Sequence, residues 1–139
     1  MKPKLKLMLN TAVFAMALTT AMPATARAGL AEEADINKGL LAVGIADEIR
    51  KKCDSISGRM LKGQMYLWDM AQLAKSRGYT DAQIKAYIKS DSEKAKMRAK
   101  GTAYLKSKGV SPSDPQSYCA VGLAEIASKS QIGAFLKAK

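Results

Sequence analysis

The spacing of apolar residues changes character at Pro23. Before it, Leu7 to Met22 form a nearly unbroken apolar stretch, diluted by Asn10, Thr11, Thr19 and Thr20. Beyond it, apolar positions recur every three or four residues, the period of a helix lying on a core. Leu41, Ile45 and Ile49 follow at four-residue intervals and lead to Cys53, with Asp47, Arg50 and Lys51 on other faces. Asp35 is the expected cap of this first helix. Gly39 and Gly44 inside it each cost about 1 kcal/mol of helix propensity. Either they admit a close neighbour or the helix is fragile, and spacing leaves both open.

A second helix is expected from Asp54 or Ser55 to Arg77. Along it Ile56, Met60, Leu61, Gly63, Leu67, Trp68, Met70, Ala71 and Ala74 fill about half the circumference. An arc that wide predicts the central helix of the domain, contacted from two sides. Lys75, Arg77 and Gly78 then supply the cations and the glycine of a helix end.

Capping boxes follow at Thr80-Asp81-Ala82-Gln83 and at Ser90-Asp91-Ser92-Glu93. Residues 81–108 are therefore two helices or one long kinked helix, with Ile84, Tyr87, Ile88, Tyr104 and Leu105 inward and Gly109 as the stop. Asp114-Pro115 restarts the chain with an acceptor at N-cap and proline at N1. Tyr118, Cys119, Gly122, Leu123 and Ile126 form the inner face there, and Ser130 caps a last turn holding Ile132, Phe135 and Leu136. No β-branched alternation, internal repeat or low-complexity tract occurs. The expected fold is all-α, a small bundle of four to six helices.

Composition and charge add an address. Lys2, Lys4 and Lys6 precede the first apolar stretch without an acid, and Ala26-Arg27-Ala28 places small residues where signal peptidase needs them. Residues 1–28 are expected to be a secretory signal cleaved before Gly29, with Ala24-Thr25-Ala26 as a second site. A spanning anchor needs about 20 predominantly apolar residues, and this stretch is shorter and ends in a cleavage motif. No cysteine follows it to suggest a lipoprotein. The remaining domain, 29–139, is long enough for one core. Removing Lys2, Lys4, Lys6 and Arg27 lowers the net charge of +11 to +7, which favours anionic partners or surfaces.

The two cysteines both lie in this domain, and an exported protein meets an oxidising compartment. Cys53 is in phase with Ile45 and Ile49, and Cys119 with Leu123 and Ile126, so both face inward. A Cys53–Cys119 disulfide is expected, which requires the first and last long helices to be neighbours. Buried free thiols are the alternative. A redox pair is disfavoured because there is no Cys-x-x-Cys and the setting is apolar.

Other chemistry is thin. The chain has no histidine, the commonest metal ligand and general base, and no haem-attachment motif. Met60, Met65 and Met70 recur at five-residue steps, which scatter around a helix rather than converge on Cu(I). Core filling is the better account of them. Asp69 lies between Trp68 and Met70 but shares a polar side with Arg59 and Lys62, as a surface ion pair would. No phosphate loop or nucleophile elbow is present. The sequence thus indicates no catalytic, cofactor or metal site. Nucleic acid is not an expected partner, since the address is periplasmic and no aromatics interleave the cations.

One basic feature stands out. If residues 81–108 form one helix, Lys85, Lys89, Lys96 and Lys100 align as a stripe opposite the apolar side. It could meet an anionic membrane surface or an acidic protein. A solvated helix face is the commoner meaning of such a run.

Four segments together resemble a known family: Asp35-Ile36-Asn37-Lys38-Gly39-Leu40-Leu41, Cys53-Asp54-Ser55-Ile56-Ser57-Gly58-Arg59-Met60, Arg77-Gly78-Tyr79-Thr80 and Ser117-Tyr118-Cys119-Ala120. The chain resembles small exported two-cysteine proteins of marine and photosynthetic alphaproteobacteria that carry a domain-of-unknown-function label. The resemblance implies a Gram-negative periplasmic address and, through the gene neighbourhoods of some members, an association with the respiratory NADH–quinone oxidoreductase. It implies no activity and no site residues. The leading expectation is a non-enzymatic periplasmic binding or accessory protein of an inner-membrane complex. A small stress chaperone is the first alternative and an enzyme with an unfamiliar site the second.

Overall fold

A computed structural model describes residues 29–139; the expected signal and its cleavage motifs lie outside the described residues. After a 3-10 turn at Leu30–Glu32 come helix α1 (Ala34–Lys52), strand β1 (Ile56–Gly58) and helix α2 (Met60–Ser76). Helices α3 (Asp81–Lys89), α4 (Asp91–Ser107) and α5 (Pro115–Ala127) follow, then a 3-10 turn at Gly133–Phe135 and strand β2 (Leu136–Ala138). The all-α expectation holds for the bulk of the domain, with one small antiparallel ribbon added.

The central helix is α1, not α2. It touches α2, α4 and α5 and buries Ala42, Ile45, Ala46 and Ile49 in the larger core. That core also takes Ile56, Leu105, Val110, Tyr118, Val121, Phe135 and Leu136. A satellite core joins Leu30, Ile36, Ala74, Tyr79 and Ile84 under the other end of α1. The two inner glycines of α1 have different meanings. A Cβ on Gly39 would lie 2.5 Å from the Tyr66 hydroxyl, so α2 packs close there. Gly44 has nothing within 4 Å and admits no neighbour.

The first helix does not begin at an Asp35 cap. Glu33 stands at N-cap without a side-chain bond, and Asp35 lies inside the first turn, where its carboxylate is taken by Arg77 (Nη1 to Oδ1, 2.8 Å). The expected start of the second helix is also displaced. Past Cys53 the chain extends so that Ile56 enters the core, and Ser57 pairs with Lys137 across the ribbon. Gly122 makes room for it: a Cβ there would lie 2.5 Å from Ile56 Cδ1 and 2.7 Å from Ile49 Cγ2. Arg59 N–H closes the ribbon by donating to Phe135 O (2.7 Å), and α2 begins one residue later.

Residues 81–108 are two helices. Thr80 and Gln83 form the expected reciprocal capping box. Ser90 is the C-cap of α3 and the N-cap of α4, its hydroxyl accepting from Glu93 N–H. Gly78 and Gly109 terminate helices at φ of 86° and 91°, and Asp114 caps α5 by accepting from Gln116 N–H (3.0 Å). In α3 and α5 one expected inward residue each faces solvent, Ile88 and Leu123. In α5 the inward positions adjoining Gly122 are Val121 and Glu125.

Cys53 and Cys119 are bonded, with Cα atoms 5.1 Å apart. The bond joins the C-cap of α1 to the fifth residue of α5 in the larger core.

Candidate interaction surface

Helix α2 packs on one side only. Tyr66, Leu73 and Ala74 face the cores, and the Tyr66 ring meets Phe135 at a centroid distance of 5.1 Å. At about 100° per residue, Leu61, Met65 and Trp68 fall within about 60° of one another on the opposite side. They are 71%, 61% and 64% exposed, and Met60 beside them is 54% exposed. Met60 and Met65 therefore do not fill the core as expected; of the three spaced methionines only Met70 turns inward, towards Gly39. A surface helix usually turns its apolar residues to the core and polar ones to water. This one leaves a contiguous apolar strip in solvent, which marks interaction surfaces in folded proteins.

Charge fringes that strip. Arg59 precedes the first turn of α2, Lys62 lies at its edge, and β2 places Lys137 opposite Ser57 in the adjoining ribbon. All three side chains are exposed. Among the described residues none has a carboxylate within ion-pair distance. Asp69, expected in a surface ion pair, is exposed and lacks one as well. It is the one acid within α2. A groove between α2 and the C-terminal turn runs beneath, lined by Met60, Met65, Tyr66 and Phe135.

The expected basic stripe is divided. Lys85 and Lys89 belong to α3, Lys96 and Lys100 to α4, and the break at Ser90 removes the single helix that would align them. Lys96 is paired with Glu93 at 2.7 Å, and that carboxylate raises its pKa.

An apolar cavity of about 250 Å³ opens between α1, α2, α3 and α4, with Ile36, Leu40, Met70, Ile84 and Met97 in its wall. Glu93 and Lys94 are the charged residues beside it. Glu93 is held by Lys96, and Lys94 by Asp91 at 3.6 Å. The wall could accommodate a small apolar group, but no nucleophile and base converge there. Among the described residues no cluster of three Cys, Asp or Glu could hold a metal ion.

Polar networks whose partners are remote along the chain escaped the sequence reading, two of them around charged groups. Arg77 binds both Glu33 and Asp35, and Tyr79 donates to Glu33 (2.9 Å), tying the start of α1 to the end of α2. The guanidinium holds the Asp35 carboxyl down at about 2. Glu125, a buried acid, accepts from Tyr104. Burial first, then this bond, pushes the Tyr104 phenol up to about 12. Both networks satisfy polar groups within the fold, and for the buried Glu125 that is what burial requires.

A family model described as a family of unknown function, DUF5333, matches residues 28–137. No curated protein and no solved structure matches the chain.

Proposed function

We propose a role from surface chemistry, because the chain belongs to DUF5333 and that family is of unknown function. The protein is a non-enzymatic, exported binding module of the periplasm that serves an inner-membrane respiratory complex. Its working surface is the outer side of α2. The observation that carries this reading is the strip of Leu61, Met65 and Trp68, exposed opposite the packed side of the same helix. Stability offers no reason to keep three large apolar side chains in water, whereas binding does. The disulfide suits an oxidising compartment, and Ala26-Arg27-Ala28 suits export.

Amine crosslinking in native cells, followed by mass spectrometry, tests the reading. One defined membrane complex should be captured, and a Leu61→Ser/Met65→Ser variant should capture much less of it. Equal capture by the variant would refute α2 as the working surface. Met60 and Met65 favour a second reading, a chaperone, since exposed methionines adapt to varied partners. In that case the protein should suppress aggregation of denatured clients and the same variant should not.

A further inference from the structure

We infer that the outer side of α2, with the cations beside it, is a docking surface for an anionic phospholipid bilayer. This rests on α2 being the working surface and names what that surface touches.

Three observations favour lipid. First, the strip is short and shallow: from Leu61 to Trp68 is about 10 Å at the helical rise, enough to lie in a headgroup boundary rather than to cross it. Among the described residues no helix is long and apolar enough to cross a membrane. Second, the chain's single tryptophan lies in the strip, and tryptophan is enriched where apolar and polar phases meet. Third, Arg59 and Lys62 line one groove with Leu61 and Met65 and outnumber Asp69, the acid beside them, and a net positive charge next to an apolar strip is the pattern that holds a peripheral helix on anionic lipid. A second copy is the poorer occupant. Pairing this surface with itself across a two-fold axis would gather four cations, Arg59 and Lys62 of each copy, against two acids around one apolar contact. A protein partner would have to be acidic to match Arg59 and Lys62.

The lone tryptophan makes the test direct. The disulfide-bonded chain 29–139 is mixed at low salt with vesicles of phosphatidylglycerol or of phosphatidylcholine. Trp68 emission should move to shorter wavelength with the first and stay unmoved with the second. Lipids brominated on the acyl chain should quench it, and added salt should weaken the effect. Reversing Arg59 and Lys62 to Glu should weaken binding about tenfold or more. Leu61→Ser/Met65→Ser should abolish the emission shift while helix content and the disulfide are retained. Reversing Lys85, Lys89, Lys96 and Lys100 together should leave binding nearly unchanged.

Emission that phosphatidylglycerol leaves unmoved would overturn the proposal. So would a shift that appears without vesicles as protein concentration rises, which would assign the surface to self-association. Binding lost by the four-lysine variant but kept by the α2 variants would overturn it too. The two readings fail separately. If vesicles fail while capture in cells still depends on Leu61 and Met65, lipid is wrong and the binding module stands. If vesicles succeed and no complex is captured, the lipid surface stands and the accessory role falls.

Discussion

Gly44 and Gly133 are glycines for opposite reasons. Gly44 sits on the exposed side of α1 with nothing within 4 Å of where a Cβ would be. Gly44→Ala should therefore stabilise the fold by about 0.5–1 kcal/mol, the gain in helix propensity. A Cβ on Gly133 would lie 2.0 Å from the Glu125 carbonyl oxygen, and backbone cannot rotate aside as a side chain can. Gly133→Ala should cost about 1–3 kcal/mol or more. Urea unfolding of the two variants against the parent measures both signs. Destabilisation by the Gly44 change would show that α1 is packed where it looks open. Sequence alone left the inner glycines of α1 ambiguous, because what separates Gly39 from Gly44 is the Tyr66 hydroxyl, supplied by another helix. Local chemistry was legible at the same scale. Thr80 with Gln83, and Asp114 with Pro115, cap as read, since a cap and the N–H it serves are a few residues apart.

At the scale of elements, the chief correction is the exchange of roles between α1 and α2. Periodicity reports which residues of a helix are apolar, and the usual inference is that they face inward. For α2 that inference failed because Leu61, Met65 and Trp68 lie opposite Tyr66, Leu73 and Ala74, while its neighbours lie on one side only. Ile56, in phase with the arc, belongs instead to β1 and is buried there. The ribbon itself was illegible: Ser57 bonds Lys137, 80 positions away, and each strand has only three residues, too few for alternation to register. The exchange of roles has a thermodynamic signature. Ile49, fully buried in α1, should cost about 2–5 kcal/mol when replaced by Ala. Leu61→Ala should stay within about 0.5 kcal/mol of the parent. Denaturant midpoints of the two variants, with unchanged slopes, provide the comparison. A loss at Leu61 as large as at Ile49 would restore α2 to the centre.

Over the whole molecule, one covalent bond was readable from two positions 66 residues apart. The reading combined helix phase with compartment: both thiols faced inward, and an exported chain meets oxidant. Its topological consequence, contact between the first and last long helices, is present in the packing of α1 against α5. Function was not readable in this way, because a binding surface is defined by what fails to be buried, and only the assembled fold reveals that for α2. The bond's effect can be sized. Closing a loop of 66 residues removes about 4 kcal/mol of unfolded-chain entropy in the loop-closure account, against about 5–15 kcal/mol for a typical domain. Reduction, or Cys53→Ser, should therefore lower the melting temperature markedly while the chain remains folded under mild conditions. Vesicle binding by the folded fraction should persist, since the bond lies in the larger core and the strip of Leu61, Met65 and Trp68 lies outside it. Intact-mass analysis of natively prepared protein, alkylated without reduction, checks the premise, and paired melts with and without reductant check the size. Two alkylated thiols would disprove the bond. Coincident melts would leave it in place but without the stabilising role assigned to it here.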